Sequence, residues 1–353
     1  MPDLTFTPSP FHEQRLSLVA PARVDRQGRT GPTRAQARSA NWRRTSHGFY
    51  VPGHVDSTVP EQRTVEASHL IPADGGAVTG WAALRWMGGV WFDGSTARDG
   101  LRPVDLALWD YIRPQPIVKI CEERIDPRDL MVVDGLPLTL AVRSVCFLMR
   151  YAHDVREAAT YADMAMFNDL VSLDELWEYA LAHPGWTGIP QCREGLMLAD
   201  ENSWSPMETR LHLGWRIDAR LPWLLTNVPI FDLAGRHIGT PDLFEQESGL
   251  VVEYNGEIHL QGALRRRDRD REEAFRAVQL ECLTVMRGDL DNRGHLVARM
   301  NAARARARWF PPAERSWTIV PPVWWKPTLT VAQRRSLSEI DRARLLRHRN
   351  RAA

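Results

Sequence analysis

Residues 241–259 read PDLFEQESGLVVEYNGEIH, and this stretch restricts the fold more than any other in the chain. Residues 250–255 alternate like a half-buried strand. Asn255-Gly256 is a pair that ends strands at positive φ, and EQESG supplies a polar turn on the upstream side. The chain therefore commits to a hairpin. Side chains alternate across a strand, so Leu250, Val252 and Tyr254 point one way while Val251, Glu253 and Asn255 point the other. If the strand carrying Asp242 pairs with this one, the carboxylates of Asp242 and Glu253 converge at one end of the hairpin. Two hard oxygen ligands that repel each other suit a divalent Mg²⁺ or Mn²⁺ ion. Such an ion lowers the pKa of bound water and stabilises charge on a phosphoryl oxygen.

The hairpin is embedded in an α/β order. Upstream, SWSPMETRLHLGWRIDARL reads as a helix with Ser205 as N-cap and Pro206 at its first position, and Met207, Leu211 and Trp215 form its buried stripe. NVPIFD, HIGTPDLF and LVVEYN then read as three short strands linked by LAGR and EQESG. ALRRRDRDREEAFRAVQL follows as a helix, LTVMRGDL as a strand ending near Gly288, and residues 291–308 as a second helix.

At 353 residues the chain exceeds a comfortable single core, so several domains are expected. Residues 1–62 read as helix, turn, a helix opening at Thr33, and a β-wing in which residues 42–45 and 49–51 pair across His47-Gly48. That order is a winged-helix signature. Eight arginines face two acids between positions 13 and 44, a surplus suited to phosphate contact through Arg34, Arg38, Arg43 and Arg44; a solvated basic face is the alternative. Residues 63–200 form a connecting α/β domain with strands at PVDLALWD and PIVKICEE. Three helical stretches close it, the last capped by Ser172 with Glu175. Asp163 reads as a buried, satisfied acid. Residues 201–325 hold the hairpin, and residues 326–353 form a basic tail of limited order.

Net charge is +1, so a nucleic-acid argument has to be local. Lys119 and Lys326 are the only lysines, and arginine does not serve as a general base as lysine does. Cys121, Cys146, Cys192 and Cys282 show no CxxC spacing, which argues against zinc and a disulfide framework. No apolar run approaches the roughly 18 to 20 residues that span a bilayer, so a soluble cytoplasmic protein without membrane partners is expected.

The pattern PD, ten residues, then E-x-N, set between a helix with Glu208 and a helix with Asp268 and Arg271, resembles the PD-(D/E)XK nuclease superfamily. EYNGEIH followed by DRDREEAFRA and LTVMRGDL is similar to the branch related to very short patch repair endonucleases, whose strand usually reads E-x-D-G-x-x-H. With TRAQARSANWRRTSHGFYVP at the front, the chain resembles actinobacterial proteins that join an AbiEi-antitoxin-like winged helix to such a domain. The resemblance implies a restriction-endonuclease-like mixed sheet flanked by helices. It implies Asp242 and Glu253 as ligands of Mg²⁺ or Mn²⁺, Glu208 as a further acid, and His259 as a proton-transfer group, with Asp268 and Arg271 in support.

The chain departs from both patterns at Asn255, where other members carry a lysine or an acid, and no lysine lies between 120 and 325. A neutral amide ligates a cation through its oxygen but removes one negative charge from the site. Glu208 also completes a capping box with Ser205, Asn255-Gly256 also serves as a turn, and residues 268–276 also fit an exposed helix laced with ion pairs. The expectation is a DNA-binding protein with a metal-dependent phosphodiesterase domain. Its rivals are a DNA-binding regulator or antitoxin-like protein on an inactive nuclease fold, and an interaction module with neither activity. A homodimer is compatible with either DNA-binding reading.

Overall fold

The computed structural model describes residues 15, 17–72, 75–96, 100–256, 262–347 and 349, with the backbone alone over 262–268. Its helices and its mixed and antiparallel sheets form an α/β protein that sorts into two units. One is Met1–Tyr151 with Glu178–Gly188, the other Ala152–Trp177 with Ile189–Ala353. The division therefore falls at Tyr151 rather than near position 200.

In the first unit, β1 (Ala22–Arg23), β2 (Trp42–Ser46) and β3 (Phe49–Pro52) make an antiparallel sheet in the order β1-β3-β2. The β2–β3 hairpin turns at His47-Gly48, where a φ of +82° calls for glycine. The wing is thus present. The helix expected from Thr33 is not: residues Gln36–Arg38 form a single 3-10 turn with no buried residue. Thr33 and Gln36 do exchange capping hydrogen bonds at 2.8 and 3.3 Å. A cap cannot hold a helix that has no apolar face to bury, because short isolated helices are marginal in water. Residues 18–20 are irregular, and residues 1–14 and 16 lie outside the described residues, so no helix-turn-helix precedes the wing among the described residues.

The limit expected at position 62 lies inside α1 (Pro60–Ser68). After it come β4 (Gly76–Thr79), α2 (Gly80–Trp86), β5 (Val104–Leu108), β6 (Val118–Cys121), β7 (Leu130–Val133), β8 (Leu136–Thr139) and α3 (Ala141–Arg150). The five strands form one mixed sheet, β6-β5-β4-β8-β7. Its core includes Trp86, Leu84, Leu106 and Leu138, all fully buried.

In the second unit, α4 (Val155–Phe167) buries Asp163, which accepts from Asp200 N at 2.8 Å and Thr209 Oγ1 at 2.7 Å, the satisfied acid that the sequence suggested. Helix α5 (Leu173–Ala182) spans the division, and Ser172 and Glu175 cap it reciprocally. Helices α6 (Ile189–Leu196) and α7 (Pro206–Leu213) follow, the latter continued by a π-helical turn, Gly214–Asp218.

Strands β9 (Leu225–Thr226), β10 (Ile230–Asp232), β11 (His237–Gly239), β12 (Leu243–Glu245) and β13 (Leu250–Asn255) lead into α8 (Gly262–Ala277), β14 (Glu281–Met286), α9 (Arg293–Arg306) and β15 (Trp317–Thr318). HIGTPDLF is therefore two strands, not one. Pro241 lacks the N–H a ladder needs, and the chain crosses there from the sheet β11-β10-β15 to the sheet β14-β13-β12-β9. In the latter, β12 and β13 are antiparallel, while β13 and β14 are parallel with α8 as the crossover.

Each face of the four-stranded sheet buries its own core. Leu243, Leu250 and Val252 pack with Leu211 and Trp215 of the α7 segment and Met300 of α9. Phe244 and Val251 pack with Phe275 of α8 and Trp317 of β15. Full burial of Phe275 contributes on the order of 3 kcal/mol.

The C-terminal segment is docked rather than loosely ordered. Helices α10 (Val331–Arg335) and α11 (Glu339–Leu345) close it. Arg334 is fully buried, with Nε donating to Asp169 Oδ1 at 2.6 Å and Nη2 to the carbonyls of Met166 and Glu201. Burying one side of the tail overrides the charge excess that suggested a solvated segment. Among the described residues, no helix is long and apolar enough to cross a membrane.

Candidate phosphodiester site

The β12–β13 register fixes the geometry. Leu243 faces Val252 in the last regular rung, and continuing that register puts the Asp242 backbone across from Glu253. Pro241 and Asp242 precede the regular ladder, and there the Asp242 side chain takes over as acceptor: Tyr254 N donates to its Oδ2 at 2.7 Å. The Asp242 carbonyl accepts from Asn227 N at 2.9 Å. Asp242 is thus locked between β13 and the turn after β9.

Glu253 shares a face with Val251, the face that α8 covers, and its side chain is 16 % exposed. Arg271 Nη2 of α8 donates to Glu253 Oε2 at 3.0 Å. Asn255 ends β13 on the same face, opposite Met286 of β14. His259 lies outside the described residues, as does the side chain of Asp268 on α8.

Glu208 satisfies both of its readings. Ser205 caps α7, accepting from Glu208 N at 3.2 Å and donating to Glu208 Oε1 at 3.0 Å, while Trp204 N donates to Oε2 at 2.9 Å. Asn227 Nδ2 donates to the same Oε2 at 2.7 Å. Burial and then the negative charge of Asp242 push the Glu208 pKa up to about 8, against the opposing hydrogen bonds from Asn227, Trp204 and Ser205. The two acids therefore feel each other, and near neutral pH Glu208 favours its protonated form.

Asn227 is the residue that sequence reasoning missed. It is 2 % exposed, has a φ of +49°, and ties Glu208 to the Asp242 backbone, while its Nδ2 also reaches the Asn202 carbonyl at 2.8 Å. The asparagine in TNVP carries the signal, because asparagine tolerates the left-handed region better than most residues.

Of the arginines expected at DNA, Arg34, Arg38 and Arg44 are exposed. Arg44 donates locally to the Ser46 carbonyl at 3.1 Å. Arg43 is committed elsewhere. Its guanidinium grips Glu66 at 2.6 and 3.0 Å, and that carboxylate is 4 % exposed. A buried acid needs a partner, so Arg43 is first a structural cation.

Among the described residues, no three His, Cys, Asp or Glu side chains converge as a metal-binding group. Asp242 and Glu253, on adjoining strands, are ligands of the type a hard cation such as Mg²⁺ takes, which uses one or two protein carboxylates and completes its shell with water and substrate phosphate. The opposing feature is Arg271, which already neutralises Glu253. Set beside known proteins, the chain matches no family model, no curated protein and no solved structure.

Proposed function

We propose that the second unit is a PD-(D/E)XK-type domain that binds and cleaves a DNA phosphodiester, and that the first unit contributes DNA contact through Arg34, Arg38 and Arg44. The observation that supports this reading is the β12–β13 register, which, continued past Leu243–Val252, brings Asp242 across from Glu253. These two carboxylates would hold Mg²⁺ or Mn²⁺, with the Asn255 amide oxygen on the same face. When bound, the ion supplies a water of lowered pKa and charge stabilisation at the phosphoryl oxygens.

The side chains have separable tasks. Tyr254 N–H orients Asp242 by donating to its Oδ2. Glu208, protonated near neutral pH, spares the site a third uncompensated charge. Arg271 positions Glu253 with one Nη and presents the forked geometry that recognises phosphate. His259 remains the expected proton acceptor.

Plasmid nicking with Mg²⁺ or Mn²⁺ tests this reading. Wild type nicks, and Asp242→Ala and Glu253→Ala lose at least 10²-fold in rate; equal background in all three proteins refutes catalysis. The Arg271–Glu253 ion pair favours a second reading, a DNA-binding scaffold without cleavage. Under it, DNA is retained and no metal elicits nicking. For the first unit, Arg34→Ala with Arg38→Ala weakens DNA binding and lowers its salt slope by about 2.

A further inference from the structure

The hydrogen bonds around Asn227 do not stop at Glu208 and Asp242 but continue to the C-terminal segment. Asn202 is the next member. It is 5 % exposed, its Nδ2 donates to the carbonyls of Thr226 at 2.7 Å and Asn227 at 3.1 Å, and its own carbonyl accepts from Asn227 Nδ2 at 2.8 Å. The two asparagines therefore clasp each other, side chain to backbone, in both directions. Such a clasp holds Asn227 in its left-handed conformation, with a φ of +49°. From there Asn227 reaches Glu208 Oε2 through Nδ2 at 2.7 Å and the Asp242 carbonyl through its backbone N at 2.9 Å.

Arg349 meets Asn202 from the other side. Asn202 Oδ1 accepts from Trp204 Nε1 at 3.1 Å and, at a longer 3.4 Å, from Arg349 Nη2. Arg349 is 7 % exposed, its Nη1 donates to the Phe167 carbonyl at 2.6 Å, and its guanidinium lies over the Phe167 ring at 4.8 Å. Asp169, just beyond α4, is already shared by Arg334 and Arg342, so among the described residues Arg349 has no ion pair of its own. A buried guanidinium is costly unless its donors are used. Here they are used on the end of α4 and on Asn202, which links the C-terminal segment to the acids.

We propose that Arg349 is a positioning residue of the phosphodiester site, acting through Asn202 and Asn227 to keep Glu208 tied to Asp242. The role at that site rests on the phosphodiester reading of those acids; the hydrogen-bonded chain does not. The docked segment is then a working part of the second unit. Removing groups that orient metal-binding carboxylates from behind typically costs roughly 10–100-fold in metal affinity or activity. A merely structural arginine has a different signature: stability falls, and the protein that remains folded works at full rate.

The full chain is compared with Arg349→Met, Arg349→Lys and Arg335→Ala, the last of which loses the exposed pair with Glu175 and leaves Arg349 in place. The side-chain amide resonances of Asn227, in protein carrying isotope-labelled asparagine and assigned through Asn227→Ser, read the chain without metal or DNA. Arg349→Met shifts them and Arg335→Ala does not. In plasmid nicking with Mg²⁺, Arg349→Met lowers kcat about tenfold at unchanged KM, Arg349→Lys recovers part of the loss, and Arg335→Ala nicks like wild type. Unmoved Asn227 resonances in Arg349→Met overturn the proposal, and so does a folded Arg349→Met with wild-type kcat, or a loss that Arg335→Ala reproduces. Should Arg349→Met fail to fold, Arg349→Lys carries both readouts, because one ammonium cannot reproduce the two Nη donors; wild-type resonances or wild-type kcat in it then overturn the proposal. If wild type itself does not nick, the phosphodiester reading falls, and the amide shift still decides whether Arg349 holds Asn227.

Discussion

Glu208 combines two roles that sequence rules keep apart. Its spacing from Ser205 makes it a helix cap, and its neighbour Asp242 makes it a titrating group near neutral pH. The pKa rises from 4.5 to about 8, so the folded chain holds a proton that the unfolded chain has released. Stability contributed by that proton is fully present below pH 4.5 and is lost as pH climbs toward 8. Wild type should therefore lose Tm relative to Glu208→Gln across this window, as thermal melts at stepped pH would read; a parallel pair of curves would remove the assignment. Asp242→Asn supplies the cross-check, because deleting its charge lowers the Glu208 pKa and flattens the slope. Both acids were legible in the sequence, but their coupling was not. The two are held near each other by Asn227, nineteen positions from Glu208 and fifteen from Asp242, and a turn asparagine announces nothing of its partners.

At the scale of elements, local chemistry succeeded where burial agreed with it. The caps at Ser172 and Ser205 formed as their spacing implied, and the helix at Ser205 buries Leu211 and Trp215. Ser205→Ala should cost about 1 kcal/mol, measurable by urea denaturation, since it removes the cap of α7. The hairpin turn depends on Gly249, whose φ is +74°. Gly249→Ala should destabilise by about 1 kcal/mol and bring a Cβ to 3.3 Å from Leu280 Cδ2; an unchanged denaturation midpoint would show that the turn relaxes at no cost. The Thr33 segment shows the opposite case. Its capping bonds are made, yet no helix follows, because none of Gln36–Arg38 is buried. HIGTPDLF fails for a different reason: β propensity continues through it, but Pro241 interrupts the ladder and the two pieces join different sheets.

For the whole molecule, the C-terminal arginines change meaning once their partners are known. Arg334 is fully buried, paired with Asp169, 165 positions away. Arg334→Ala removes the buried partner of Asp169, which keeps Arg342, and strands the carbonyls of Met166 and Glu201, so it should cost about 2–3 kcal/mol of the second unit's stability, far above the effect of an exposed tail residue. A loss within the surface range, under ~0.5 kcal/mol, would mean the tail is dispensable. Arg349 is docked in the same region, donating to the Phe167 carbonyl at 2.6 Å, and burial lowers its pKa to about 9. By itself the sequence determined the alternating strand, the turn that precedes it and the caps, since these depend on neighbours within a dozen residues. Only the tertiary structure decided that Arg43 serves Glu66, that Arg271 neutralises Glu253, and that Glu208 keeps its proton. Each of those rests on burial and on charges brought together from distant parts of the chain, and neither is encoded in local spacing.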